Sequence, residues 1–192
     1  MADTPPASVV PELRRLTTQY LDTEDRIRLT GESADGDVWV LWLTQRLLQR
    51  LLPPLFSWLD TTVAKPPRTH DGPAPTPATN EEADQRHHQA QRAAVSSHAA
   101  QRPVAIPPDT REILIQSIDL SHFPRGVRLT FKAAGQASPS TVRLSLPTQA
   151  LRQWLRVLYQ QYRKAGWPLQ HWPDWLRGDP GQAAPTSARV LH

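Results

Sequence analysis

The chain has 192 residues, with 20 prolines, seven tryptophans and no cysteine, and its formal net charge is +4 at pH 7. The lack of cysteine excludes disulfides and cysteine-rich zinc sites and favours a reducing, cytoplasmic setting. The N-terminal sequence has no apolar run after a basic region, so we expect no secretory signal. The longest apolar stretch, 38–59, is interrupted by polar residues and prolines too often to span a bilayer.

Composition separates the chain into structured and unstructured parts. Residues 64–108 are rich in proline and alanine, and their only large aliphatic residues are Val95, Val104 and Ile106. Such a segment buries too little apolar surface to offset the entropy of ordering it, which predicts a disordered linker. Residues 81–100 could form a transient helix, but no apolar stripe would hold it in place. Residues 1–12 and 180–192 are expected to be disordered ends.

The segment before this linker, residues 13–63, predicts three strands and a helix. Residues 26–30 alternate polar and apolar side chains, and an Asp-Gly turn at 35–36 separates them from the apolar strand 38–43. Residues 13–21 are the third candidate strand. Thr44 stands at a helix N-cap position, and leucines follow it at helical spacing up to Leu59. Pro53 and Pro54 are expected to kink or restart this helix.

The segment after the linker, residues 109–166, has the same predicted order. Strands are expected at 112–120, 127–132 and 142–146, and Thr148 then caps a helix that Gly166 ends. Aligning Thr44 with Thr148 gives six identities in fifteen positions and matches the inward residues Val38, Val40 and Trp42 with Val142, Leu144 and Leu146. Any strand–cap–helix unit looks partly like another, but a duplication explains the match better. Two copies would bury each other's apolar faces.

The predicted fold class is therefore α+β. It consists of two βββα repeats, each an antiparallel sheet with one amphipathic helix, joined by the disordered linker.

Alternation within the strands selects a set of outward basic side chains. A sheet face that carries arginine, lysine and threonine suits binding to a phosphate backbone, although a solvated sheet face carries the same residue types. Trp39 is a candidate for stacking on bases or for burial under the partner half. The predicted nucleic-acid-binding residues are Arg26, Arg28, Trp39, Arg128, Lys132 and Arg143.

Residues 167–179 form a tryptophan-rich segment with two interpretations. Trp167, Trp172 and Trp175 alternate with proline, histidine and arginine, a composition that docks on a partner or stacks on bases. The same indoles also suit a segment that folds back and caps a small core, which is the commoner outcome. Partner docking through these three tryptophans is therefore retained as a prediction beside capping.

No catalytic, cofactor or metal signature is present in the sequence. There is no glycine-rich phosphate loop and no legible nucleophile–base constellation, so we expect a protein that is not an enzyme and has no cofactor. Four of the seven histidines, His70, His87, His88 and His98, fall in the predicted linker, where a mobile polar tract explains them better than a metal site.

One family resemblance rests on the strand-to-helix step VRLSLPTQALRQWLRVLYQQY at 142–162. It resembles the end of a PC4-type unit, and a tandem of such units is similar to the Whirly arrangement. The resemblance covers about half of the chain, and it implies curved antiparallel sheets that bind single-stranded nucleic acid through Arg26, Arg28, Arg128, Lys132 and Arg143. The predicted repeats depart from the family in having three strands where four are usual, and in their long linker.

Two functions follow as hypotheses. The first is a non-enzymatic accessory protein that binds single-stranded nucleic acid through the basic sheet face. The alternative is a protein–protein adaptor or assembly factor that docks through the leucine-rich helix 44–59 or the tryptophan-rich segment. A homodimer that buries the leucine stripe is an equally natural outcome.

Overall fold

The computed structural model describes residues 10–64, 80–97, 102–133 and 141–177. The first part contains strands β1 (Glu12–Leu21), β2 (Arg26–Ser33) and β3 (Val38–Leu43) and helix α1 (Gln45–Ala64). Helix α2 (Asn80–Ser96) follows. The last part contains β4 (Glu112–Phe123), β5 (Gly126–Ala133), β6 (Thr141–Pro147), α3 (Thr148–Ala165) and the short helix α4 (Asp174–Arg177). The predicted order of strands and helices on either side of residues 64–108 is thus confirmed.

The six strands form one closed barrel in the order β1 to β6. Neighbours within each half pair antiparallel, whereas β3 pairs with β4 and β1 pairs with β6 in parallel. The predicted fold class, two βββα repeats with separate antiparallel sheets, is therefore wrong. The parallel pairs join both edges of the first three strands to both edges of the last three, and closure leaves neither half with a sheet of its own.

Each long helix packs on the opposite half. Helix α1 follows β3 in the chain but contacts β4, and α3 follows β6 but contacts β1 as well as β5 and β6. The apolar stripes of both helices join the inward strand residues in one hydrophobic cluster that runs from Leu13 to Leu176. A half without its counterpart would leave its helix stripe uncovered, which is why the two halves form one core.

The two halves correspond, but one residue away from the alignment that their identities suggest. Ile27 pairs with Leu43 in the first half and Val127 with Leu146 in the second, so Leu43 corresponds to Leu146. The buried helix residues follow the same correspondence: Leu48 with Leu151, Leu51 with Trp154, Leu52 with Leu155, Leu55 with Leu158, Phe56 with Tyr159 and Leu59 with Tyr162. The alignment of Thr44 with Thr148 was therefore out of register.

The first strands of the two halves also correspond. Both ladders contain an irregularity at the same place, between Leu13 and Arg15 in β1 and between Ile115 and Ser117 in β4. Beyond it, Thr18 pairs with Leu29 and Leu120 pairs with Leu129. Thr18 on β1 is thus the counterpart of Leu120 on β4.

The side chains of β3 point the opposite way from the prediction, because the pairing of β3 with β2 sets which residues face the barrel interior. Trp39 and Leu41 pair with Gly31 and Leu29, so they point into the barrel with Leu43, while Val40 and Trp42 point outward. The predicted inward set of Val38, Val40 and Trp42 is wrong, because both faces of this strand are apolar and alternation cannot orient it. The outward Val40 is nonetheless fully buried.

The segment predicted as a disordered linker contains an ordered helix. Helix α2 contacts α1, α3 and α4 and buries His87, Gln91 and Ala94. Further on, Val104 is buried and its amide donates to Thr17 Oγ1 at 2.8 Å on the outside of β1. The prediction from composition was wrong here because α2 is held by polar side chains, which a count of large aliphatics does not register. Residues 65–79 and 98–101 of the predicted linker, and the predicted ends 1–9 and 178–192, lie outside the described residues.

Helix ends match the sequence in part. Thr44 Oγ1 accepts from the Leu47 amide at 3.3 Å, and Gly166 ends α3 in the left-handed conformation at φ 65°, as predicted. Thr148 does not cap α3, because the cap residue is Pro147 and the Thr148 hydroxyl donates to the Arg125 carbonyl. Pro53 and Pro54 lie inside α1 and do not end it.

Candidate functional site

The predicted basic residues do not share one surface. Arg26 and Arg28 lie on β2, and Arg128 and Lys132 lie on β5. In a closed barrel of six strands, β2 and β5 are three strands apart in either direction and therefore lie on opposite sides. Closure divides the predicted nucleic-acid-binding set into two separate patches.

The patch on β5 and β6 is exposed, but part of its positive charge is neutralised by a neighbouring carboxylate. Lys132 forms an ion pair with Asp119 at 2.6 Å, and the Arg128 Nε donates to Ser145 Oγ at 3.1 Å. Arg143 pairs in the ladder with Glu12 of β1, so a carboxylate lies beside it. Exposed ion pairs of this kind leave the patch weakly positive.

The patch on β2 is smaller, and its predicted stacking residue faces the other way. Arg28 donates to Gln19 Oε1 at 3.0 Å across the ladder. Trp39 packs against the hydrophobic core, and its buried Nε1 has no hydrogen-bond partner among the described residues. Trp39 therefore does not lie beside Arg26 or Arg28 on the outer face, where Trp42 is found with its Nε1 donating to Glu112.

The three tryptophans predicted for partner docking are buried. Their exposed fractions are 6% for Trp167, 2% for Trp172 and 5% for Trp175. Trp172 meets Phe56, Tyr159 and Tyr162 edge-on at centroid distances of 5.1–5.5 Å. Trp167 meets Tyr20 and Tyr162 in the same way. This burial favours the capping interpretation of the segment.

A polar cluster built on the buried side chains of His87 and Arg152 joins the four helices. His87 of α2 lies between Arg152 of α3, whose Nη2 is 3.1 Å from His87 Nδ1, and Asp60 of α1, whose Oδ1 is 3.2 Å from His87 Nε2. The His87 ring stacks on Trp175 of α4 at 4.9 Å, and the Arg152 guanidinium lies 5.0 Å from the same indole. Because arginine only donates, His87 Nδ1 accepts, and His87 Nε2 carries the proton given to Asp60.

Burial sets the protonation of this cluster. It lowers the pKa of His87, an effect that the charge of Arg152 increases and that of Asp60 opposes. It also lowers the pKa of Arg152 to about 10, so the guanidinium remains charged at neutral pH. The neutral His87, held between a cation and a carboxylate, attaches α2 to α1 and α3. The sequence analysis had placed this residue in a mobile polar tract. His87 is buried and its sequence neighbour His88 is exposed, and this difference shows only in the three-dimensional structure.

An open groove lies along the seam between α1 and β4. Its volume is about 190 Å³, and its lining is mainly apolar: Leu47, Arg50, Leu51 and Pro54 from α1, and Gln116, Ser117, Ile118 and Leu120 from β4. Leu51 forms the floor and is buried, while Leu47, Ile118 and Leu120 are half-buried. At the end of this seam, Trp58 stacks on His122 at 5.9 Å.

The corresponding seam between α3 and β1 is filled by the chain itself. Trp154, the counterpart of Leu51, is buried and its Nε1 donates to Thr18 Oγ1 at 3.2 Å. Further along, Gln161 accepts from the Tyr20 amide at 2.8 Å, where the other seam has Trp58 on His122. Both seams are closed at this end, but only the α3–β1 seam has an indole in its middle.

The rim of the α1–β4 groove is positively charged. Arg50 lines the groove, and Arg46 precedes it by one turn on the same helix face. Both side chains are exposed, and neither has an ion-pair or hydrogen-bond partner among the described residues. The groove thus combines an apolar floor with a rim arginine, Arg50, that has no partner in the described part of the chain.

Other ligand signals are absent from the described part of the chain. In residues 10–64, 80–97, 102–133 and 141–177, no group of three or more histidine, aspartate or glutamate side chains is arranged to hold a metal ion. None of the helices described there has the length and apolar character needed to cross a bilayer.

Comparison with known proteins gives no further assignment. No protein-family model matches the chain, no curated protein is similar to it, and no solved structure matches it. Nothing in these comparisons bears on the resemblance to the PC4 and Whirly families. Sequence analysis did not identify the groove. Its one signal in the sequence is that Leu51 stands where the second half has Trp154. This correspondence appears only when the two halves are aligned in the register that the structure shows.

Proposed function

We propose that the protein is a non-enzymatic adaptor that binds a segment of another protein in the α1–β4 groove. The supporting observation is the difference between the two seams, because the groove is open where its counterpart holds Trp154 against Thr18. This develops the adaptor hypothesis for helix 44–59. The leucine stripe itself is core, and only its margin at Leu47 and Leu51 borders the groove.

An apolar groove with a polar rim suits a peptide partner. Such sites hold one or two side chains in the apolar floor, while charges at the rim select orientation and sequence. Leu47, Leu51, Ile118 and Leu120 supply the floor, and Arg50 supplies a charge at the rim.

A peptide-library selection tests this function. The full chain is the bait, and selected peptides are then measured against two variants with matched charge. Leu47→Asp places a carboxylate in the groove. Ala150→Asp places one at the corresponding position of α3, outside the groove. We expect Leu47→Asp to weaken binding at least tenfold and Ala150→Asp to leave it unchanged. Peptides that bind both variants equally, or a selection without enrichment, would reject the adaptor function.

Single-stranded nucleic acid is a second candidate ligand, now confined to β5 and β6. Arg128, Lys132 and Arg143 are exposed on these neighbouring strands. Three phosphate contacts predict a slope of about −2 for log affinity against log salt with single strands. Electrophoretic titration at low salt tests this, with the triple alanine variant compared with Arg26→Ala/Arg28→Ala on the opposite side. The absence of any shift would exclude this candidate.

The proposed adaptor acts in the cytoplasm. The chain has no cysteine, and proteins of the reducing cytoplasm do not rely on disulfides, which supports this location.

A further inference from the structure

We propose that the α1–β4 groove takes a phenylalanine side chain from a partner protein, and that this phenylalanine is flanked by acidic residues. This inference rests on the adaptor function and names the chemistry of the partner. Three observations support it. The corresponding α3–β1 seam holds an aromatic ring, arginines stand at the rim of the groove, and the undescribed segments of the chain contain no ring that could fill it.

The counterpart seam indicates that the occupant is aromatic. There the buried Trp154 ring occupies the space between helix and strand, whereas the α1–β4 groove has the smaller Leu51 at the corresponding position. Its volume of about 190 Å³ suits one ring, since an apolar cavity of roughly 150 Å³ binds benzene. An aromatic ring also buries more apolar area than any aliphatic side chain of similar length.

The residue opposite the ring selects phenylalanine over tryptophan. The Trp154 indole donates to Thr18, whereas Leu120 stands at the corresponding position of β4 and offers no acceptor. The side-chain acceptors that line the groove, Gln116 and Ser117, precede Leu120 by four and three residues along the strand. A buried indole N–H without an acceptor loses its bond to water and gains none in return. A phenyl ring has no such requirement.

The rim indicates acidic neighbours in the partner. Arg50 and Arg46 are exposed on one face of α1 and have no partner among the described residues. The groove lining contains no carboxylate, so nothing there opposes an acidic peptide. Carboxylates flanking the phenylalanine would form charge-assisted hydrogen bonds with these guanidinium groups.

The chain does not supply this ring from its undescribed segments. Residues 1–9, 65–79, 98–101, 134–140 and 178–192 contain no phenylalanine, tyrosine or tryptophan. The three phenylalanines of the sequence are Phe56 in α1, Phe123 in β4 and Phe131 in β5. The occupant therefore belongs to another molecule.

Fluorescence anisotropy with labelled synthetic peptides tests the proposal on the full chain. The probe is an acidic nonapeptide with one central phenylalanine, and its matched forms carry alanine or tryptophan at the centre or lysines in the flanks. We expect the alanine and lysine forms to bind at least tenfold more weakly, and the tryptophan form several-fold more weakly. Equal binding of the alanine form would overturn the proposal.

Protein variants locate the binding. Leu51→Trp fills the groove as Trp154 fills its counterpart, and we expect it to reduce affinity at least tenfold. Arg50→Glu should reduce affinity about fivefold, more at low salt, and Arg163→Glu, at an exposed position on α3, should not.

Because Leu51→Trp can perturb the core, Leu120→Thr is the second test. It restores the acceptor, so the tryptophan peptide should then bind as well as the phenylalanine peptide. An unchanged preference for phenylalanine would contradict the role of Leu120.

The outcomes separate this inference from the adaptor function. Library peptides that need the groove but lack an aromatic residue would overturn the inference and leave the function standing. Failure of every peptide to depend on the groove would reject both. A dimer in light scattering that Leu51→Trp dissociates would assign the groove to a second copy of the chain and overturn the proposal.

Discussion

The indole of Trp167 donates from Nε1 to the Asp25 carboxylate at 3.0 Å, and the same oxygen accepts from the Tyr20 hydroxyl at 3.0 Å. Asp25 lies in the turn between β1 and β2 at a positive φ of 46°. One turn residue thus anchors the C-terminal aromatic segment to the first hairpin. The contact shows that residues 167–177 belong to the core and are not an appended tail.

Trp167→Phe should lower the free energy of unfolding by about 1–2 kcal/mol, because it removes a part-buried hydrogen bond to a carboxylate from a buried indole. The matched control is Trp42→Phe, which removes an indole bond to Glu112 on the exposed outer face. There we expect a change below about 1 kcal/mol. Urea unfolding of both variants measures the difference. Equal effects would show that the Asp25 contact contributes nothing beyond an exposed bond.

The stability of the fold should decrease as the pH falls below about 6.5, the ordinary pKa of histidine. The folded state lowers the pKa of His87, through burial first and the charge of Arg152 second. In this range the unfolded chain therefore binds a proton that the folded chain does not, and stability is lost with decreasing pH. His87→Gln should flatten the dependence, and His88→Gln, on the exposed side of α2, should not. An unchanged slope in His87→Gln would assign the acid sensitivity elsewhere.

Replacing Arg152 with leucine should raise the pKa of His87 relative to the wild type. The substitution removes a positive charge 3.1 Å from Nδ1 while Asp60 remains at 3.2 Å from Nε2. A protonated His87 is then favoured by the carboxylates of Asp60 and Asp84, both of which raise its pKa. NMR titration of the His87 ring protons measures the shift, with Arg163→Leu as the control. A lower pKa in Arg152→Leu would show that desolvation outweighs the lost repulsion.

Gly126→Ala should destabilise the fold by about 1–3 kcal/mol, as overpacking of a core does. A Cβ there would clash with the Phe123 ring and with the Leu146 carbonyl oxygen, a backbone atom held in the ladder between β5 and β6. At Gly31 the nearest atoms all belong to the Leu13 side chain, and no backbone atom is among them. Gly31→Ala is therefore expected to be the milder change. Thermal unfolding of the two variants checks the order, and the reverse order would contradict the close approach.

Much of the secondary structure was predictable from local patterns. The Asp-Gly turn, the cap at Thr44 and the stop at Gly166 depend on residues a few positions apart, and all three are in the structure. The parallel pairing of Leu13 with Leu144 and of Leu41 with Ile113 has no local signal, so barrel closure could not be predicted. Closure in turn separated Arg28 from Arg128. The inward orientation of Trp39 follows instead from its pairing with Gly31, in a strand whose two apolar faces give alternation nothing to orient.

The polar cluster was missed for a related reason. Composition underestimates a helix that is held by His87, Gln91 and Ala94, since its contacts are hydrogen bonds and ring stacking with partners far away in the sequence. The groove was missed because six identities favoured an alignment one residue out of register. Burial, unlike identity, distinguishes Leu51 and Trp154 as counterparts.

The parallel pairing of β1 with β6 also determines when this protein finishes folding. During synthesis the first three strands and α1 emerge with both strand edges unpaired and with no β4 for α1 to contact. β3 and α1 acquire their partner once β4 has left the ribosome, and β1 acquires its partner only after β6, the last strand, has done so. Pairing over such long stretches of chain closes slowly, since the entropy of closing the loop is lost before any contact is gained. Until then the edges of β1 and β3 are open to pairing with other nascent chains, so the first half of this protein depends on the prompt synthesis of the second.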